Sequence, residues 1–352
     1  MPSCSFKNGF REKLRILVAF FIVQCCDPVV AKSLPIQVGS SPVLSSAGLY
    51  LAQSEGYFAE QNLDVQIVDI PNSGAPMTLL LAKGKLDVGA GNLTSGLFTA
   101  IAKDKAIKLV ADKGHVSSER DYIALIVRQD HLDSGRYKEL NSLKGFKMGL
   151  TSLDGVSQQI VTERFLKKAG LSESDIEYVK LSYAEMNAAL KTKSLDATIQ
   201  LEPHVAHAEL GGFAKRLAGA AEVHPGQQSA ALLYSSRFAS NRPQEAAKFM
   251  VAYLKGVRLY NKSLSDPKAR VRVRAALAKP LKIVDEDIWD RMRPIGLAPD
   301  GRLNIESLQE DLDWYSRKGY LKTNVRAKDI VDHQFVDKAV KQLDGGSKLS
   351  SR

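Results

Sequence analysis

The chain has 352 residues, 44% of them hydrophobic and 25% charged, with a formal net charge of +10. This is ordinary globular composition, and the length predicts two domains. All three cysteines, Cys4, Cys25 and Cys26, fall in the first 31 residues, so the remainder has no disulfide, no thiol nucleophile and no thiolate metal site.

The N-terminal stretch has the pattern of a secretory signal peptide. Lys7, Arg11, Lys13 and Arg15 make a basic start, "ILVAFFIV" (16–23) is an apolar run too short to span a bilayer, and "VVA" (29–31) offers a cleavage site after Ala31. A retained anchor is one alternative. A lipid-modified cysteine is another, disfavoured by Gln24 where a small residue is needed. An exported, periplasmic location is therefore expected. The leader carries +2, leaving about +8 for the rest. A basic surface suits nucleic acid or anionic lipid, but export argues against nucleic acid. The densest basic run, "PKARVRVR" (267–274), follows Asp266. It reads as a solvated helix with Asp266 as N-cap and Pro267 in the first turn.

From residue 36 the chain repeats itself. Residues 36–94 and 146–203 each open on a short strand ending at glycine, Gly39 and Gly149. Each continues through a Ser-rich loop, an amphipathic helix, a break near Gly56 or Gly170, a second strand and a second helix. Each second helix is followed by Leu-Asp, Leu86-Asp87 or Leu195-Asp196, and a third strand. Strand-helix alternation of this kind predicts parallel α/β units, and two copies predict two α/β lobes. In open α/β sheets ligands bind beyond the carboxyl ends of the strands, so two facing lobes enclose a cleft.

The loops at those ends are polar. In lobe one they are "GSSPVLSS" (39–46), "PNSG" (71–74) and "NLTSG" (92–96); in lobe two they are "LTSLDGVSQQ" (150–159) and "QLEPH" (200–204). Helix N-termini there present free N–H groups and a positive dipole end, suited to anionic groups. Ordinary helix capping accounts for any single loop; the convergence of the set points to a site.

These segments resemble the substrate-binding proteins of ABC importers for nitrate, sulfonates, taurine and thiamine-precursor pyrimidines. The resemblance lies in "LYLAQSEGYFAEQNLDVQIV" (49–68), "LLLAKGKLDVGAGNLT" (79–94), "SLKGFKMGL" (142–150), "LDATIQLEP" (195–203) and "GYLKTNVRAKDIVDHQFVDKAV" (319–340). It implies the type II periplasmic binding protein fold: two α/β lobes with a ligand cleft between them. Lobe one would comprise residues 32–124 and, after a lobe two of 125–227, a return with C-terminal helices over 228–352. "DYIALIVR" (121–128) and "QSAALLYSSRF" (228–238) would be the crossings.

Carried over by position, the family's ligand loops fall on Ser40, Ser41, Ser45, Asn72, Ser73, Gly74, Asn92 and Thr94 in lobe one. In lobe two they fall on Ser152, Gly155, Val156, Ser157 and Glu202. Tyr122, at the crossing, either lines the cleft or is a buried hinge aromatic. None of these loops holds Arg or Lys, so an anionic head group would be held by N–H, hydroxyl and amide dipoles. Glu202, if it faces the ligand, favours a zwitterion or amine; otherwise it bonds to backbone or a lysine. The resemblance implies a monomer that closes over a small, sulfonate- or taurine-like solute. The protein would then deliver it to a membrane ABC permease and its ATPase, with no cofactor.

Two other classes compete. An enzyme of thiamine-pyrimidine metabolism shares the fold, but its branch is expected to depend on a cysteine-rich motif, and residues 32–352 contain no cysteine. No G-x-S-x-G elbow occurs, and "GAGNLTSG" (89–96) has Thr94 where a dinucleotide loop needs glycine. His204 and His207, with Glu202 and Glu209, have zinc-compatible spacing but no further strong ligand at motif spacing; no metal is expected. A pyrimidine or aromatic carboxylate is the alternative ligand.

Overall fold

A computed structural model of the chain describes residues 34–70 and 74–347. The expected leader, with all three cysteines, and the loop residues Asn72 and Ser73 lie outside the described residues. No described helix is long and apolar enough to cross a membrane.

The strands, in chain order, are β1 (Ile36–Ser40), β2 (Val65–Asp69), β3 (Val88–Asn92), β4 (Ile107–His115), β5 (Ile123–Arg128), β6 (Lys147–Leu150), β7 (Glu177–Lys180), β8 (Ala197–Leu201), β9 (Ala214–Gly219) and β10 (Gln228–Ser235). They form two five-stranded sheets, ordered β2-β1-β3-β10-β4 and β7-β6-β8-β5-β9. In the first, β1 is parallel to β2 and β3, and β10 runs antiparallel between β3 and β4. In the second, β6 is parallel to β7 and β8, and β5 runs antiparallel between β8 and β9. Strand for strand, the sheets have the same order and directions. Each borrows its antiparallel strand: β5 follows β4 in the chain but joins the second sheet, and β10 follows β9 but joins the first. Every residue of β5 and β10 is buried, as interior strands covered on both faces require.

The repeat has a packing cause. In sheet one Gly39 lies under Met77 and Leu86, and a Cβ at Gly39 would sit 2.8 Å from Leu86 Cδ1. In sheet two Gly149 lies under Met186 and Leu195, and a Cβ there would sit 2.8 Å from Leu195 Cδ2. Only glycine lets the covering helix approach so closely. The paired aspartates act alike too. Asp87 accepts the Gln37 amide of β1 at 3.0 Å, and Asp196 accepts the Lys147 amide of β6 at 2.9 Å. Each carboxylate ties the entry of the third strand to the entry of the first.

Two strands, β4 and β9, have no counterpart in the sequence expectations. "IKLVADKGH" places four polar or charged residues and a glycine within one strand and shows no alternation. β4 is nevertheless almost wholly buried, because sheet neighbours and side-chain partners satisfy those groups. The basic run forms the helix Pro267–Ala278, with the Asp266 carboxylate accepting the amides of Lys268 and Ala269, as expected. Phe58 closes its corner against Phe249, ring centres 4.7 Å apart. Ile70 directly follows β2. It is buried, because the chain leaves β2 there and turns in toward Gly39.

Candidate functional site

The carboxyl ends of β1, β3 and β4 and the start of β10 share one edge of sheet one; the ends of β6, β7, β8 and β9 and the start of β5 share one edge of sheet two. Side chains from both edges meet around a small inner cavity. Asn92, Gln227 and Ser229 come from the first edge and the second crossing. Tyr122, Ser157, Gln158, Tyr183 and Gln200 come from the first crossing and the second edge. Asn92 Nδ2 donates to the Tyr183 hydroxyl at 3.2 Å. The Tyr122 hydroxyl donates to Ser229 Oγ at 2.5 Å, and Ser229 Oγ in turn donates to the Gly114 carbonyl at 2.9 Å. Burial raises the Tyr183 phenol to about 12 and the Tyr122 phenol further, so both remain protonated and able to donate.

Two larger spaces flank this core. One, of 360 Å³, is lined by Gly74, Asn92, Thr94, Ser152, Asp154, Gly155 and Lys180 among others. The other, of 320 Å³, is lined by Ser41, Asp69, Tyr183, His204, His207 and Lys282 among others. His204 stacks on Tyr183 at 6.0 Å, and burial, helped by nearby His207 and Lys282, drops its imidazole to about 4, so it is neutral. The rim is already bridged. Thr94 pairs with Val156, Ser95 N donates to the Gly155 carbonyl at 3.1 Å, and Ser95 Oγ donates to the Asp154 carbonyl. Thr94 also caps the helix Ser95–Asp104 through the Leu97 amide.

The residues expected from sequence separate into three groups. Gly74, Asn92, Thr94, Ser152 and Gly155 meet around the 360 Å³ space, Asn92, Tyr122 and Ser157 around the inner cavity, and Ser41 on the third. Ser40 and Val156 are buried behind the surface. Ser40 Oγ donates to Ser46 Oγ at 2.9 Å and serves the loop itself. Tyr122 is 1% exposed at the crossing and lines the inner cavity.

Glu202 departs from the expectation that it faces the ligand. It is wholly buried; its carboxylate accepts from Arg216 Nη2, from the Ala206 amide at 3.0 Å and from the Arg293 amide at 3.1 Å. Burial raises its carboxyl to about 7 against the pull of Arg216. With these partners in place its side chain ties the end of β8 to β9 and to the C-terminal segment. Its backbone reaches the first crossing and the loop after β1, its N–H donating to the Tyr122 carbonyl and its carbonyl accepting the Leu44 amide. Among the described residues no group of three or more His, Cys, Asp or Glu is placed to hold a metal ion.

The crossings lie side by side. The Val116 amide donates to the Gln227 carbonyl and the Gly226 amide to the Val116 carbonyl, both at 2.9 Å. Asp121 accepts from the Ala221 amide, and burial raises its carboxyl to about 6.

Sequence reasoning missed Tyr183, Gln158, Gln200, Gln227, Ser229 and Lys113. The repeat held a signal for Tyr183: Met77 and Met186 are equivalent, which puts Tyr183 in register with Gly74. Lys113 had no such signal, because β4 itself was not legible. It is fully buried, its Nζ donating to Ser45 Oγ at 2.8 Å. Burial, opposed by neighbouring Asp112, lowers its ammonium to about 7.

Comparison with known proteins agrees with this architecture. A 4-amino-5-hydroxymethyl-2-methylpyrimidine phosphate synthase of Aspergillus parasiticus is 30% identical over 156 residues, 44% of this chain and 42% of that one. The match therefore spans less than half of that relative. A putative aliphatic sulfonates-binding protein of Bacillus subtilis is 24% identical over 325 residues, 88% of this chain and 90% of the relative. The crystal structure of the periplasmic nitrate-binding protein of Synechocystis superposes with a TM-score of 0.72 at 13% identity, covering 88% of this chain and 89% of the other. The fold is that of the periplasmic binding proteins. The model of the family described as NMT1/THI5 like matches residues 44–268, and with that match the chain belongs to the NMT1/THI5-like family.

Proposed function

We propose that the protein is an extracytoplasmic solute-binding protein. It takes a small anionic or zwitterionic organic solute between its two sheets and delivers it to a membrane ABC permease and its ATPase. The observation that carries this reading is the Asn92–Tyr183 hydrogen bond, which joins the edges of the two sheets across a cavity lined by hydroxyls and amides. The 360 Å³ space beside it, which shares Asn92, has room for a small polar solute held by directional bonds. The paired crossings supply a hinge about which the lobes, residues 32–124 with 228–352 and residues 125–227, open and close. The mature protein acts as a monomer after loss of residues 1–31. The loops at Ser41, Gly74, Asn92, Thr94, Ser152, Gly155 and Ser157 contact the solute, with Asn72 and Ser73 beside them in the sequence.

A thermal-shift panel of alkanesulfonates, taurine, nitrate, carboxylates, amino acids and 4-amino-5-hydroxymethyl-2-methylpyrimidine tests this. A solute at 100 times its dissociation constant stabilises the fold by about 2.7 kcal/mol. Asn92→Ala should then weaken that solute about tenfold, the worth of one polar contact. Turnover of a solute in place of stable binding would refute the reading. The pyrimidine belongs in the panel because of the Aspergillus relative. If it alone binds, the ligand is a pyrimidine and the sulfonate-like assignment fails.

A further inference from the structure

Lys113 is the most anomalous charge among the described residues. It is fully buried, and among the described residues its Nζ has one hydrogen-bond partner, the neutral hydroxyl of Ser45. An ammonium has three protons to donate, and burying a charge without a counter-ion is costly. The nearest carboxylate in sequence, Asp112, is committed elsewhere. It accepts from the Gly114 amide at 2.8 Å, Gln228 Nε2 at 2.6 Å, His115 Nδ1 at 3.0 Å and the Ala298 amide at 2.6 Å.

The backbone puts Lys113 there deliberately. Along β4, Asp112 pairs with Ala231 and Gly114 with Ala230, so Lys113 is the extra residue of a β-bulge. Bulges re-aim side chains and occur often beside functional sites. This one lies at the carboxyl end of β4, on the edge that carries the candidate ligand loops. Its surroundings belong to the same site. A Cβ on the next residue, Gly114, would sit 3.2 Å from Ser45 Cβ and 2.9 Å from the Tyr122 hydroxyl. Ser229, which binds the Gly114 carbonyl and the Tyr122 hydroxyl, lines the inner cavity.

We infer that Lys113 is the anion anchor of the cleft: its ammonium, presented with Ser45, pairs with the single oxyanion head group, carboxylate or sulfonate, of the bound solute. The ligand supplies the counter-ion that the fold withholds. This rests on the solute-binding reading and narrows it, replacing an anion held by loop dipoles alone with one held by a buried cation as well. A buried ion pair of this kind separates anionic solutes from neutral isosteres more sharply than exposed hydroxyls do.

The test compares wild type with Lys113→Met, which keeps the length of the side chain and removes the charge. Isothermal titration uses acetate, benzoate, methanesulfonate, taurine and the neutral 4-amino-5-hydroxymethyl-2-methylpyrimidine. Circular dichroism checks that the variant is folded, and Ser45→Ala serves as a second, milder variant. The expected result is that wild type binds at least one anionic probe, Lys113→Met weakens it a hundredfold or more, and Ser45→Ala weakens it severalfold. Wild type binding only the neutral probe overturns the anchor and leaves solute binding standing. Equal anion affinity in wild type and Lys113→Met does the same. Failure of wild type to bind any probe overturns the solute-binding reading and the anchor with it.

Discussion

Replacing Lys113 by Met has a calculable consequence for stability without any ligand. The ordinary lysine pKa of 10.5 falls to about 7 in the fold because of burial. The folded protein therefore holds this proton more weakly than the unfolded chain does. Between pH 7 and 10.5 the unfolded chain binds more protons at this site, so wild-type stability rises with pH across that window. At 1.36 kcal/mol per pH unit the full penalty is about 5 kcal/mol. It is complete below pH 7 and gone above 10.5. Lys113→Met removes the penalty and loses the hydrogen bond to Ser45, worth about 1 kcal/mol. The variant should be more stable than wild type by about 4 kcal/mol near pH 7, with the advantage shrinking by about 1.4 kcal/mol per pH unit as pH rises.

The assay is urea unfolding of both proteins at pH 7, 8, 9 and 10. The other groups that titrate there are common to both proteins and cancel in the difference. The groups beside Lys113 are the Ser45 hydroxyl and, on its own strand, Asp112, whose carboxylate bonds His115 and whose carbonyl accepts from Tyr253; Tyr122 lies against the next residue, Gly114. Burial raises both phenols beyond the window. Parallel stability curves for the two proteins, or a wild type more stable at pH 7, would refute the claim that Lys113 is a charge without a counter-ion.

Two further substitutions test the scaffold. A Cβ at position 256, in the helix Pro243–Ser263, would lie 2.1 Å from the Gly48 carbonyl oxygen of the helix Ala47–Ser54. Backbone cannot yield as a side chain does, so Gly256→Ala should lose about 3 kcal/mol by forcing these helices apart, measured as a lowered urea midpoint. Glu202→Gln leaves Arg216 buried beside a neutral partner. It should lose about 3 kcal/mol of stability while affecting all bound solutes alike; selective loss of amine-bearing solutes would restore Glu202 to the ligand site.

The sequence alone specified the two α/β units, because their cause is local and repeated. A glycine under a methionine, an aspartate that ties two strand entries together and a polar loop at each strand end recur at matched spacing. From that follow the parallel strands, the edge where ligand loops gather, and the placement of Asn92, Thr94, Gly155 and Ser157. Tertiary structure decided what depends on partners distant in the chain. The strand β4 could not be read because its polar groups meet partners remote in sequence: Asp112 meets Gln228 and Ala298, Lys108 meets Asp332, and Lys113 meets the Ser45 hydroxyl. Glu202 looked free because Arg216 and the Arg293 amide reach it only after the crossings and the C-terminal segment assemble. A lysine's meaning, solvated surface or buried anchor, is set by what meets it in space, and among the described residues the hydrogen-bond partner of Lys113 Nζ is a hydroxyl, that of Ser45.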